Sequence, residues 1–467
     1  MARLVIVSNR VPLPSERGPR AGGLATALAD ALRPGSLWIG WSGRRSPAAA
    51  EVRLQRSEAT SYATIDLTEA EYRGYYVSFS NGVLWPLLHF RLGLVEYRRE
   101  DYDTYRAVNR KFAEAIAGLL RSDDLVWVHD YHLLPLAAEL RRLGVRNRIG
   151  FFLHTPFVPP ALLHALPRAA EVLQAMCAYD VIGFHTRVYQ RAFLECVREI
   201  LPVTRLHDGG FMYGGHHVRV IVDPIGIDAD AFAAGAKQAA QSLDTLRLQE
   251  SLSGRALAFG ADRLDYSKGL VNRFEAFGRL LAKYPEHRRQ VSFLQIAARS
   301  REESGSYQRL RRELDRVVGD TNGRFSEFDW IPLRYMTTPV RRQVLAGFCR
   351  IARLGIVTPF RDGMNLVAKE YVAAQDPADP GVLVLSRFAG AAEELTEALI
   401  VNPFDADEIA DAMHQGLAMP LAERSRRYAA LRERVWDTTA SKYCTTFLAH
   451  LESDETPLPR IRLQVAS

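Results

Sequence analysis

Four cysteines in 467 residues, Cys177, Cys196, Cys349 and Cys444, lie too far apart for a CxxC pair or any metal-ligand spacing. That scatter excludes a disulfide scaffold and points to a reducing compartment. No apolar run reaches about 18 residues, the length a membrane-spanning helix needs. The opening run Arg3-Leu4-Val5-Ile6-Val7-Ser8 is too short and too β-branched for a signal peptide, so the cytoplasm is the expected location. GxGxxG is absent, as are short repeats, low-complexity tracts and dense Lys/Arg runs alternating with aromatics. A dinucleotide cofactor, a repeat architecture and a nucleic-acid partner are therefore not expected.

What remains is the composition of a globular protein, 48% apolar and 24% charged, with a net charge of +6 that weakly favours anionic small molecules. The length suits two domains of roughly 200 residues each. Short apolar runs alternate with amphipathic stretches throughout. Strands are expected at Leu4–Ser8, Leu125–Val128, Ile149–Leu153, Val181–Phe184, Val218–Val222, Ala256–Gly260, Val291–Ile296, Leu354–Val357 and Val382–Ser386. Helices are expected at Leu133–Leu143, Leu270–Lys283, Tyr307–Val318 and Asn365–Ala374. This alternation predicts an α/β fold of two facing doubly wound, Rossmann-like domains with a cleft between them. The polar segment Ala233–Thr245 sets the expected boundary near residue 235, giving domains 1–235 and 236–450 and a tail 451–467.

In open α/β sheets ligands bind beyond the carboxyl ends of the strands, so chemistry is sought there. The segment Thr358–Glu370 runs from a buried strand through Arg361-Asp362-Gly363 into a helix opening near Asn365. Free N–H groups at a helix start attract an anion, yet Asp362 and Glu370 flank this one. A ligand with hydroxyls on either side of its phosphates, such as a nucleotide sugar, suits that arrangement. Arg263 and Lys268 share the loop after Ala256–Gly260, where a guanidinium fork and a mobile ammonium suit a diphosphate. A solvated loop is the plain alternative. In the first half, Arg10 ends the first strand and Gly22-Gly23 opens a helix. Asp130 follows a strand but also suits a helix cap, and His154 follows the next. Tyr76 and Trp85 suit either a core or a sugar platform.

Taken in order, Ser8-Asn9-Arg10, Gly22-Gly23, Asn81–Pro86, His129-Asp130-Tyr131-His132, Phe151–Phe157, Arg263–Gly269, Thr358–Tyr371, Ser386–Ala391 and Val401–Asp405 resemble the trehalose-6-phosphate synthase family, retaining glycosyltransferases of GT-B architecture. The resemblance covers about residues 2–450. It implies transfer of glucose from a nucleotide sugar, usually UDP-glucose, to glucose 6-phosphate, with no metal or other cofactor required. It implies that Arg10 and Arg301 hold the acceptor phosphate, with Tyr76, Trp85 and Asp130 around the acceptor sugar. Gly22 and Gly23 would approach the donor, Arg263 and Lys268 would hold its diphosphate, and His154 would lie against its sugar. Asp362, Gly363, Met364 and Asn365 would grip the donor glucose, Leu366, Val367, Ala368, Lys369 and Glu370 would line the nucleoside, and Val340 would meet the base. A helix at about 436–451 would cross back to the first domain, and the chain would form a dimer or tetramer.

The reaction so implied needs no side-chain nucleophile: the departing diphosphate oxygen takes the acceptor proton on the same face. Three other readings compete. A glucosylglycerol-phosphate synthase would use a smaller acceptor, although the Tyr76/Trp85 pair favours a hexose. A non-catalytic sugar-phosphate sensor could dispense with the phosphate-gripping residues, yet all are present. A nicotinamide-dependent oxidoreductase lacks its fingerprint.

Overall fold

The computed structural model describes residues 2–13, 28, 32–47, 52–57, 60–207, 209–299 and 305–453. Two compact units emerge. Among the described residues, one holds the start of the chain, Leu28–Pro224 and residues 443–453; the other holds Ile225–Lys442. The division precedes the expected residue 235 because the helix Ala229–Ala239 packs on the helices Arg342–Ile351 and Leu366–Ala374 of the second unit.

The first unit is built on β1 (Leu4–Arg10), β2 (Leu37–Arg45), β3 (Arg53–Ser57), β4 (Thr60–Leu67), β5 (Leu125–His129), β6 (Ile149–Leu153), β7 (Val181–Phe184), β8 (Thr204–Arg205), β9 (Phe211–Tyr213) and β10 (His216–Val222). Their order is β3-β4-β2-β1-β5-β6-β7-β10-β9-β8, parallel from β4 to β10 with antiparallel edges. β5, β6 and β7 are buried at every position, as expected of parallel strands covered on both faces. The helix Ala440–Glu452 contributes Phe447, whose ring stacks on Trp127 of β5 at 4.6 Å and 10°.

The second unit is an all-parallel sheet of β11 (Ala256–Arg263), β12 (Val291–Ala298), β13 (Leu333–Met336), β14 (Leu354–Val357), β15 (Val382–Ser386) and β16 (Leu399–Val401). Its order, β13-β12-β11-β14-β15-β16, reverses direction between β11 and β14; in the first unit the reversal falls between β1 and β5. Such switch points open a crevice at the carboxyl ends.

All nine expected strands are present. The expected helix Leu133–Leu143 is a short turn, Tyr131–Leu133, then Leu136–Arg142, since Pro135 cannot donate within a continuous helix. Tyr307–Val318 extends to Gly305–Phe325. The aromatic segment Tyr72–Leu84 winds as a π-helix.

Candidate functional site

In the second unit the switch point brings the β11 and β14 loops together. Lys268 Nζ donates to Asp362 Oδ2 at 2.5 Å, and Asn365 Nδ2 donates to the same oxygen at 3.0 Å. Both side chains of the ion pair are largely buried, Lys268 at 11% and Asp362 at 14% exposure. Close packing fixes the loops. Gly269 has φ +64°, and a Cβ there would sit 2.3 Å from the Thr358 carbonyl oxygen. A Cβ on Gly390 would lie 2.0 Å from the Gly363 carbonyl oxygen, so the loop 362–364 rests directly on the turn after β15. Asp362 N–H donates to Phe388 O at 3.1 Å and Ala391 N–H donates to Met364 O at 2.8 Å. Asn365, at φ +79°, caps Leu366–Ala374 by accepting from Ala368 N–H.

Beneath this cluster lies Arg273, fully buried and outside the expected set. Its guanidinium donates to Asp262 at 2.5 Å, Gln295 at 2.8 Å, Thr358 at 3.0 Å and the Lys268 carbonyl at 3.2 Å. One side chain therefore ties the ends of β11, β12 and β14 to the backbone that carries Lys268. Its place one turn into a helix gave no sequence signal; the buried carboxylate at Asp262 was the available hint.

Other expected residues fall around these loops. Arg263 is exposed at the end of β11. Gly363 and Met364 are buried in the loop, Leu366 and Val367 are half-buried at the helix start, and Ala368 is buried. Val340 is half-buried on the connection from β13 to Arg342–Ile351. Glu370 accepts from Arg342 Nε at 3.0 Å and Nη2 at 2.7 Å, both on Oε1. Burial pushes its carboxyl above the usual range against the pull of Arg342. Lys369 turns inward: its ammonium donates to Ile225 O at 2.9 Å and Thr438 Oγ1 at 3.2 Å and pairs with Glu394 at 2.7 Å. Burial lowers the Lys369 pKa while Glu394 resists. Its side chain serves the interior of the unit.

In the first unit Arg10 ends β1 against Gly43, whose φ is +81° and where a Cβ would lie 2.8 Å from Arg10 Cζ. The neighbouring Asn9 accepts from Tyr75 at 2.8 Å. Asp130 occupies the cap position of the turn Tyr131–Leu133, but its side chain makes no capping bond. It sits at φ +74°, its N–H donates to Phe152 O, and its Oδ1 accepts from His154 N–H at 3.3 Å. A non-glycine residue there costs about 1–3 kcal/mol, strain that collects at functional positions. Tyr76 is half-buried, its ring stacked with Tyr72 at 5.5 Å and His132 at 5.7 Å. Trp85 is buried at 5% exposure against His89 and Tyr131, closer to a core aromatic than to an open platform.

His154, itself half-buried, is the middle of an imidazole chain between buried His129 and His185. His129 Nδ1 and His154 Nε2 lie 3.1 Å apart, and His154 Nδ1 and His185 Nε2 lie 3.2 Å apart. Burial lowers His154 to about 3 and drives His129 well below its ordinary value, so both are neutral at physiological pH. His185 and Asp223 extend the row across the ends of β7 and β10; burial raises Asp223 to about 7. His185 could have been read from sequence, because it follows Val181–Phe184 as His154 follows Ile149–Leu153. Gly22, Gly23 and Arg301 lie outside the described residues.

The model of glycosyltransferase family 20 matches residues 2–453. A trehalose-6-phosphate synthase of Sinorhizobium fredii is 47% identical over 457 residues, covering 97% of this chain and 98% of that one. Among solved structures, an α,α-trehalose-phosphate synthase (UDP-forming) from Burkholderia xenovorans in complex with glucose-6-phosphate aligns with a TM-score of 0.93 and 45% identity, over 97% of this chain and 100% of that one. A protein from E. coli bound with UDP-2-fluoro glucose aligns with a TM-score of 0.93 and 44% identity, over 98% and 100% of the two chains. The chain has the two Rossmann-like units of the GT-B class and belongs to glycosyltransferase family 20.

Proposed function

We propose that the protein is a retaining glucosyltransferase that moves glucose from UDP-glucose to the anomeric hydroxyl of glucose 6-phosphate, giving α,α-trehalose 6-phosphate and UDP. The observation that carries this reading is the Lys268–Asp362–Asn365 cluster at the switch point of the second unit. It occurs in a chain similar to one solved with UDP-2-fluoro glucose and to another solved with glucose-6-phosphate.

The second unit takes the donor. An ammonium has three donors, so Lys268 can hold Asp362 and still reach a phosphate oxygen. With Arg263 it stabilises charge on the departing diphosphate, and these two cations are sufficient without a metal. Asp362 accepts from glucose hydroxyls beside the N–H groups of Gly363, Met364 and Asn365. Leu366, Val367, Ala368 and the backbone of Lys369 line the nucleoside, Glu370 accepts from the ribose, and the backbone at Val340 meets the uracil. Gly22 and Gly23 approach the donor.

The first unit takes the acceptor. Arg10, with Arg301, holds its phosphate, while Tyr76, Trp85 and Asp130 surround its sugar. His154, neutral within its imidazole chain, lies against the donor sugar. The diphosphate oxygen takes the acceptor proton as the new bond forms on the same face, so catalysis is positioning plus charge stabilisation. We assign the reaction to the cytoplasm, consistent with four buried free cysteines, and to a homo-oligomer.

The test is mass detection of product from glucose 6-phosphate with UDP-, ADP- and GDP-glucose in turn. A disaccharide phosphate from UDP-glucose is expected; product only with glycerol 3-phosphate as acceptor would overturn the reading.

A further inference from the structure

The edge of the second unit remote from the donor loops carries a cluster that glucosyl transfer does not use. The helix Leu270–Lys283 starts at the carboxyl edge of the sheet and ends where the chain turns back towards β12, so Tyr284, Glu286 and His287 lie at the amino edge. The helix Ala406–Ala418 packs along it and brings His414 to the same place. His287 Nε2 and His414 Nδ1 approach to 2.9 Å, and Glu286 Oε1 lies 3.7 Å from that His414 nitrogen. The three ligand atoms fall within 4.8 Å of one another, the one such group of three among the described residues.

The surroundings fix these side chains. The Tyr284 ring lies flat on His414, with centroids 3.8 Å apart and planes 5° apart. Its hydroxyl donates at 2.9 Å to Asp411, which also takes Lys283 at 2.5 Å. Asp411 stands one turn before His414 on the same helix, so Tyr284 is held at both ends and sets the imidazole plane. Backbone bonds from His287 N–H to Tyr284 O at 3.1 Å and from Arg288 N–H to Pro285 O at 3.0 Å close the turn that presents Glu286 and His287.

Two imidazole nitrogens this close share a proton between two lone-pair positions. A metal ion can replace that proton and bond both nitrogens, with each ring carrying its N–H on the other nitrogen. The opening required is small, from 2.9 Å to roughly 3.3 Å for tetrahedral bonds of about 2.0–2.1 Å. Two imidazoles with one carboxylate form a borderline donor set, poorly suited to Ca2+ or Mg2+, which take oxygen, and well suited to Zn2+ and its neighbours. We propose that Glu286, His287 and His414 bind one divalent transition ion of the Zn2+ class, which clips the turn after Leu270–Lys283 to the helix Ala406–Ala418. The fourth position is taken by water, and the clip stabilises the second unit without touching the donor loops.

Chelator-treated full-length protein is titrated with Zn2+ by calorimetry, and with Co2+ to read tetrahedral d–d absorption. One equivalent is expected to bind and to raise the melting temperature, leaving the rate of glucosyl transfer unchanged. His414→Ala is expected to weaken that equivalent at least a hundredfold and to abolish the Co2+ bands. Glu286→Gln, an exposed change that leaves the fold intact, is expected to weaken it at least fivefold. No saturable equivalent in the native chain, or an equivalent of native affinity in both variants, overturns the site.

Discussion

In the second unit the charges at and around the switch point are already paired: Lys268 with Asp362, Arg273 with Asp262, Arg342 with Glu370. In the first unit, four neighbouring strands of the same kind end in His129, His154, His185 and Asp223, and burial keeps His129 and His154 uncharged. The same topology thus gives one set of strand ends suited to charge and another suited to shape. Charge stabilisation belongs where cations are held by a scaffold that need not reorganise. Under the proposed function, a neutral hydrogen-bonded chain would orient a sugar without competing for the phosphates.

Arg273 carries the largest expected effect. Replacing it with Ala removes the guanidinium bonds to Asp262, Gln295, Thr358 and the Lys268 carbonyl and leaves Asp262 buried without its cation, at an expected cost of about 3–5 kcal/mol. Urea unfolding should register this loss; a cost below about 1 kcal/mol would mean that the scaffold is not what holds Lys268. Next comes Arg263→Ala. Its exposed side chain predicts an almost unchanged melting temperature but a loss of roughly 3–4 kcal/mol of transition-state stabilisation, a fall of about a hundredfold to a thousandfold in kcat. Near-native turnover in that variant would remove Arg263 from the diphosphate.

The first unit should respond more mildly. His185→Phe leaves His154 Nδ1 without its neighbour, for an expected loss of roughly 1–3 kcal/mol in stability. A change in kcat greater than that of Arg263→Ala would reverse the assigned division of labour. Changing pH probes the same strand ends without a substitution. His129 and His154 have lowered values in the folded chain, so the unfolded chain binds more protons, and stability declines as pH falls from about 6.5 towards 3. Asp223 has the opposite sign: its contribution is complete at low pH and is lost as pH rises through about 7. Asp223→Asn, resembling the protonated acid, should therefore match the native chain near pH 4 and exceed it in stability at pH 8. A variant weaker than native at pH 8 would show that the carboxylate is stabilised rather than strained.

Much of this was legible because parallel strands buried on both faces read as short apolar runs, as Leu354–Val357 and Val181–Phe184 do. Strands of another character did not stand out. β2 and β4 break their apolar runs with Gly, Ser, Thr and Asp, β3 and β8 form exposed antiparallel edges, and β9, β13 and β16 are very short. At the site, Arg263, Lys268 and Asp362 were visible because each lies between a strand and the start of a helix. Arg273 was not, since a charged residue inside an amphipathic helix looks solvated until its neighbours are known. The imidazole chain needed strand order and register: β5, β6 and β7 must lie side by side before His129, His154 and His185 can meet. The Glu286–His287–His414 group depends likewise on two helices distant in sequence packing together.

The division between the units is tested most directly by titrating UDP into two variants, Arg263→Ala and Arg10→Ala. UDP affinity is expected to fall at least tenfold in Arg263→Ala and to stay native in Arg10→Ala. Native affinity in the first, or an equal loss in both, would contradict that division.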